Sequence, residues 1–422
     1  MRPFSRRAAC RLAAACALLI VTLETPLQAE ETPLCPALQS PQDVLECVKL
    51  HDPALLRAIA ERQIKTSAVR TAATRPNPEI ESRVLFGTGE SDGQILSETN
   101  FFHPFEVGGK RGARIQKARA GEESADRAVR VGADEVVIET VLGLHRLRQI
   151  ATERARLDEV LSTYRRIVGL YRSRPLLSPE QETSLLVFES AREEGNLKKT
   201  SLVDEENRLA TAFRLSLGTE IALSNRLLPA SPRNWPEKPL EGFATGGWAP
   251  LDLARSELKN AQASGRLAKS EAWPTLQFGP SLETDSPLGD HQTSVGFVFS
   301  TALPIYDRKQ GKKAEAKREE DLARLNLELK EREARAETAR WVREYQNNLK
   351  AFQKAHAGFA FHKRHEELEA RFERGLISSV MLLEAHREML HLQQEIHRTE
   401  LKALEALWRI YALEGRILEE KI

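Results

Sequence analysis

The chain has 422 residues, room for two or three compact domains or for one elongated architecture. Charged residues make up 29% and aromatic residues 6%, a balance that suits long solvated helices better than a broad globular core. With 62 basic against 61 acidic residues the formal charge is +1, which excludes a global field built for nucleic acid.

The N-terminus reads as a secretory signal. Arg2, Arg6, Arg7 and Arg11 form a basic segment, Leu12 to Leu23 is an apolar run, and Ala29 marks a small-residue cleavage position. A membrane-spanning helix needs about 18–20 apolar residues, and Glu24 and Pro26 end this run too early. Removal of residues 1–29 would leave a net charge of −2. Cys10 and Cys16 leave with the signal. Cys35 and Cys47 remain as candidates for a disulfide clipping the N-terminal segment. No Cys-x-x-Cys or Cys/His zinc spacing occurs.

The remainder states one plan twice. RPNPEIESRVLF (75–86), QILSETNFFHPFEV (94–107) and GGKRGARIQKA answer WPTLQFGPSLET (273–284), TSVGFVFSTALPIY (293–306) and DRKQGKKAEAK. Each copy opens with two strands of period two. Ile80, Ser82, Val84 and Phe86 alternate with Glu79, Glu81 and Arg83; Ile95, Thr99 and Phe101 alternate with Glu98 and Asn100. In the second copy, Leu276, Phe278 and Leu282 oppose Gln277, Ser281 and Glu283, and Val295, Phe297, Phe299 and Leu303 oppose Ser294, Gly296 and Ser300. Such a sheet has one apolar and one wet face, and residues 87–93 and 285–292 are the turns of two hairpins.

Long helices follow. Proline is absent from 105–174, from 180–228 and after Pro304. A helix over 107–172 would run roughly 100 Å at about 1.5 Å per residue, with a counterpart over 306–373. Leu401, Leu404, Trp408 and Tyr411 keep the spacing of helices packed side by side, and Glu328–Arg332 and Glu331–Arg335 support an exposed face. RPLLSPEQ (174–181) and RGLISSVM (374–381) break these helices into antiparallel pairs, with Ser178 as an N-cap before Pro179. The expected organisation is a signal (1–29), an N-terminal segment and helix (30–73) and a first hairpin (74–106). A first helical pair (107–218), a Pro/Gly-rich linker (219–250) and a helix (251–272) follow, then a second hairpin (273–304) and a second helical pair (305–422).

The glycines and basic residues at Gly108, Gly109, Lys110 and Arg111, answered by Asp307, Arg308 and Gly311, mark the strand-to-helix junctions. A phosphate-binding loop is excluded, because Arg111 follows Lys110 where Ser or Thr is required. No catalytic motif occurs, so no enzyme and no cofactor is expected. His356, His362, His365, His386, His391 and His397 gather in the C-terminal helices, and the expectation there is solvated histidines and no metal site. Strands cross lipid only as a closed barrel, and four cannot close one, so several chains would share it.

On PNPEI (76–80), PFEVGGKRGARIQKA (104–118), LPIYDRKQG (303–311) and the doubled plan, the chain over roughly 40–418 resembles the TolC family of outer-membrane efflux proteins. The GGKR junction is most similar to the branch serving cobalt–zinc–cadmium pumps. The resemblance implies a mainly helical fold with four strands per chain in a trimeric, 12-stranded outer-membrane barrel above a periplasmic tunnel. It implies a homotrimer in outer-membrane lipid, a periplasmic adaptor and a proton-driven inner-membrane pump of the resistance-nodulation-division class, with no nucleic acid. Adaptors would meet tips matching Arg374, Gly375, Leu376, Ile377 and Ser378, and in the first half Arg174, Leu176, Leu177 and Ser178, where Pro175 stands in place of the glycine. Glu79, Glu81, Glu98 and Glu283 are candidate lumen charges that would attract cations. Drug efflux and type I protein secretion are alternative cargo readings. A soluble periplasmic coiled-coil scaffold or adaptor is the reading from a different class, and it would need no embedded sheet.

Overall fold

The computed structural model describes residue 35 and residues 38–87, 95–218, 224–236, 247–286 and 292–422. The expected signal peptide, both hairpin turns for the most part and much of the linker lie outside these residues.

Helix α1 (Pro41–His51) is fixed by a capping box between Ser40 and Asp43, and Asp52 caps α2 (Pro53–Ala73). Strands β1 (Glu79–Phe86) and β2 (Ile95–Glu106) follow, then α3 (Lys110–Arg172) and α4 (Pro179–Leu217). After a short 3₁₀ turn at Asn225–Leu227, the plan repeats as α5 (Ala249–Ser270), β3 (Thr275–Ser286), β4 (Gln292–Thr301) and α6 (Gln310–Gly358). It closes with α7 (Phe361–Glu373) and α8 (Ser379–Leu413). Helix α3, with 63 residues, is roughly 95 Å long at about 1.5 Å per residue.

The two hairpins join into one antiparallel sheet in the order β1-β2-β3-β4, with β2 paired to β3. The helices continue that order. Helix α2 enters β1 and packs on α3, which leaves β2; α3 packs on α5, which enters β3; α5 packs on α6, which leaves β4. Further from the sheet the neighbours are α4 on α3, α3 on α8, and α8 on both α6 and α7. Three apolar clusters hold these staves. One joins α3, α4, α7 and α8 around Leu161, Tyr164, Phe188 and Leu382; the others seat α1 on α3 through Leu45, Val44 and Val48.

The second long helix departs from expectation. A continuous helix over 306–373 is interrupted after Gly358: Phe359 is extended and Ala360 lies outside the helical region. No proline marks the break. Phe352 and Phe361 are both buried, and the interruption lets Phe361 join the cluster at Leu161 and Leu382. Arg364 secures it by donating to the Gly358 carbonyl at 2.8 Å while its guanidinium lies over Phe359.

The first strand-to-helix junction needs its glycines. Gly108 and Gly109 have φ of +72° and +73°, and a Cβ on Gly108 would sit 2.3 Å from the Trp273 ring. Gly108→Ala should therefore lower stability by roughly 1–3 kcal/mol through left-handed strain and overpacking. Gly311→Ala, where a Cβ meets nothing and φ is not left-handed, should change it by less than about 1 kcal/mol. Thermal unfolding of both variants followed at 222 nm checks this, and equal midpoints would refute the junction's strain.

Candidate functional site

Three regions carry the candidate residues: the sheet, its junctions with the helices, and the far helix ends. In the sheet, register decides which side chains share a face. Glu81 pairs with Asn100, Arg83 with Glu98, Glu98 with Glu283, and Glu283 with Ser294. Glu79, Glu81, Glu98 and Glu283 therefore stand on one face, with Asn100, Gln277, Ser281 and Ser300. Asn100 donates to Glu98 at 2.9 Å and Gln277 to Glu79 at 3.2 Å. The opposite face presents Ile80, Val84, Phe86, Phe101, Phe105, Phe278, Leu282, Val295, Phe297 and Phe299, all exposed, with Val295 80% and Phe297 79% open. No further strand lies beside β1 or β4 among the described residues.

The first junction is stapled by its basic residues. Lys110 donates to the Thr275 hydroxyl at 2.7 Å and Arg111 to the Ala73 carbonyl at 2.9 Å. Arg114, not singled out from sequence, grips Glu106 with both terminal nitrogens and reaches the carbonyls of Ala72 and Thr74. Thus the end of α2, the end of β2 and the start of β3 are tied at one place. The second junction uses different chemistry. Its left-handed residue is Lys309 (φ +57°), not Gly311, and Asp307 stabilises it by accepting from its backbone N–H at 2.8 Å and its ammonium at 2.6 Å. Lys309 occupies the place of Gly109; a side chain at a left-handed position left no glycine to read.

At the far ends, Gly375 (φ +72°) closes α7, with the Leu376 N–H on the Arg371 carbonyl at 2.9 Å, and Ser378 caps α8. In the first half Pro175 prevents that motif, and the Arg174 N–H bonds the Tyr171 carbonyl before Ser178 and Gln181 form a capping box. Both turns nonetheless expose equivalent leucines, Leu176 at 89% and Leu376 at 68%, and half-bury Leu177 and Ile377. Arg166 bonds Glu369 and Glu373, and Phe188 meets Phe372 at 5.8 Å, so the two ends stand side by side.

The expectation of solvated histidines fails for three of the six. His356, His362 and His391 are exposed, but His365, His386 and His397 are buried, because α7 and α8 turn those faces onto α3. His386 stacks on His365 at 4.9 Å and faces the Tyr164 hydroxyl at 3.3 Å. His397 Nδ1 lies 2.7 Å from Glu153, which also takes Arg146; nearby, Glu400 accepts from Arg148 at 2.6 Å and Gln149 at 2.7 Å. His145 of α3, absent from the sequence-derived cluster, is buried beside this network. These partners lie some 250 residues apart along the chain, so spacing could not reveal them.

Burial, then the neighbouring His365, pushes His386 down to about 3; burial, then Arg148, pushes His145 down to about 4. Both are neutral when folded, whereas the unfolded chain takes up their protons below about 6.5. Stability therefore falls as pH falls through that window, by about 2 kcal/mol per such histidine between pH 7.5 and 5. His386→Gln should flatten the dependence by about that amount in denaturant unfolding at the two pH values; an unchanged slope would contradict it.

Among the described residues no helix is long and apolar enough to cross a membrane, a statement that does not bear on strands. No protein-family profile matches the chain. The cobalt-zinc-cadmium resistance protein CzcC of Cupriavidus metallidurans is 27% identical over 281 residues, 64% of this chain and 64% of that protein. The chain thus aligns with less than two thirds of the length of this curated relative. The CmeC outer membrane channel of Campylobacter jejuni superimposes with a TM-score of 0.72 at 13% identity, covering 89% of this chain and 86% of that one. CusC, solved in a study of transmembrane channel formation, gives 0.70 at 15% identity over 90% and 93%. The resemblance read from the sequence holds at the level of architecture: the chain has the fold of the TolC-type outer-membrane channels.

Proposed function

We propose that the chain is the outer-membrane conduit of a tripartite efflux system, passing its cargo passively from an inner-membrane pump and a periplasmic adaptor to the exterior. The observation that carries this reading is the sheet. Its apolar face is exposed and, among the described residues, no helix packs on it and its two outer strands have no further strand partner. In water such a face invites aggregation; in lipid it is the expected surface. Strands β2 and β3, of 12 residues each, and β4, of 10, reach the length of about 9–11 residues that a tilted strand needs to cross the hydrocarbon core. Trp273 and Tyr306, 59% and 92% exposed, stand at the helix end of the sheet, where barrel proteins place aromatic rings at the water interface.

Closure then calls for copies of the chain. About eight strands is the small end for a barrel, so two sheets reach the minimum and three make a barrel of twelve. We assign the trimer. The apolar face meets lipid, the face bearing Glu79, Glu81, Glu98 and Glu283 lines the passage, and the helices continue into the periplasm. In this reading the exposed tips around Leu176 and Leu376 are the adaptor contacts, and the sequence likeness to CzcC supports divalent heavy-metal cations as the cargo. No step of this function needs catalysis.

A strain lacking the gene should lose resistance to cobalt, zinc or cadmium while keeping its tolerance of lipophilic antibiotics. Loss of antibiotic resistance alone would move the cargo to drugs. In planar bilayers, changing Glu79, Glu81, Glu98 and Glu283 together to Gln should lower the cation-over-anion permeability ratio several-fold. An unchanged ratio would remove these residues from the lumen.

A further inference from the structure

Cys35 and Cys47 are joined by a disulfide, with their Cα atoms 5.2 Å apart. Cys47 and His51 are four residues apart on α1, so they share one face of its last turn. The two sulfurs and a ring nitrogen of His51 all lie within 4.8 Å of one another. Cys47 is fully buried, whereas Cys35 and His51 are half-buried, so the group is firmly seated yet reachable from solvent. Around it stand Val44, Val48 and Leu217, an apolar setting that favours a compact, neutral complex over free charges.

We propose that Cys35, Cys47 and His51 form a redox-gated site for a thiophilic divalent cation of the zinc or cadmium class. The disulfide keeps the site shut, because sulfur bonded to sulfur is not a thiolate donor. A dithiol reductant opens it: the S–S bond breaks, each cysteine gains a hydrogen, and the reductant leaves as its own disulfide. The cation then displaces two thiol protons and binds two thiolates and one imidazole, with water in the fourth position; its two positive charges are balanced by the two sulfurs. A tetrahedral ion with metal–sulfur bonds of about 2.3 Å holds its sulfurs about 3.8 Å apart, so the two cysteine side chains turn apart when the S–S bond opens, while His51 already lies within reach. Oxidised or metal-loaded, the same residues tether the N-terminal segment to α1, so the gate alters chemistry without releasing the tether. The proposal concerns this chain's own ligands and stands whatever cargo the conduit passes.

The test uses the full chain in detergent with Cys10→Ser and Cys16→Ser, which leaves the pair as its only thiols, and Co²⁺ as the probe. After reduction with a phosphine, one equivalent of Co²⁺ should produce thiolate-to-cobalt charge-transfer absorption that excess Zn²⁺ or Cd²⁺ abolishes. The oxidised chain should give no such band. Cys35→Ser should lose most of it, and His51→Ala should retain sulfur absorption but bind at least tenfold more weakly, with an unchanged helical spectrum. Equal Co²⁺ binding by the oxidised and reduced chains, or unweakened binding by His51→Ala, would overturn the proposal.

Discussion

A strand in lipid cannot leave its edge amides and carbonyls unpaired, because each such group costs several kcal/mol where no water can reach it. On the function proposed above, the rest of the architecture follows from how this chain meets that constraint. Its four strands pair internally at three seams and stop, leaving β1 and β4 as outer strands. On that proposed function, one chain is a segment of wall that copies complete. The alternation of side chains gives this wall two different surfaces, with Val295 and Phe297 on one and Glu98 and Glu283 on the other.

Duplication extends the same logic into the helices. Each strand is continuous with one helix, and the strand order is also the helix order near the sheet. The join is made where α2, β2 and β3 converge, and the guanidinium of Arg114 binds all but the last of these through Glu106, Ala72 and Thr74. Lys110 ties in β3 through Thr275. Further along, the staves adhere through apolar clusters, interrupted by the polar layer of Arg146, Glu153, His397, Arg148 and Glu400. Removing one member of such a buried pair leaves the other charge uncompensated, so the layer holds α3 and α8 in one register more than it adds to stability.

Much of this was legible in the sequence because it is periodic or capped. Period two placed the four glutamates on one face, and the register agrees. Ser178 announced a helix start, and Gly108 and Gly109 the first junction. What escaped were features set by distant partners. A local exception is Lys309: the second junction was placed at Asp307, Arg308 and Gly311, but its left-handed residue is Lys309, held by Asp307 two positions earlier, where no glycine marks it. The break after Gly358 arises from the need to bury Phe361 against α3 and α8, and nothing in a proline-free, charge-rich segment signals it. The histidines were misread for the same reason: His365, His386 and His397 lie on helices whose other faces are solvated, and only packing on Tyr164 and Glu153 shows which way they turn.

The most direct measurement of the central claim is backbone amide exchange of the four strands with the protein in lipid bilayers. A barrel closed by neighbouring copies makes β1 and β4 interior strands, so their amides should be protected to within about tenfold of those in β2 and β3. An isolated four-stranded sheet would leave the outward amides of β1 and β4 exchanging orders of magnitude faster than the central pair, and that result would contradict the account.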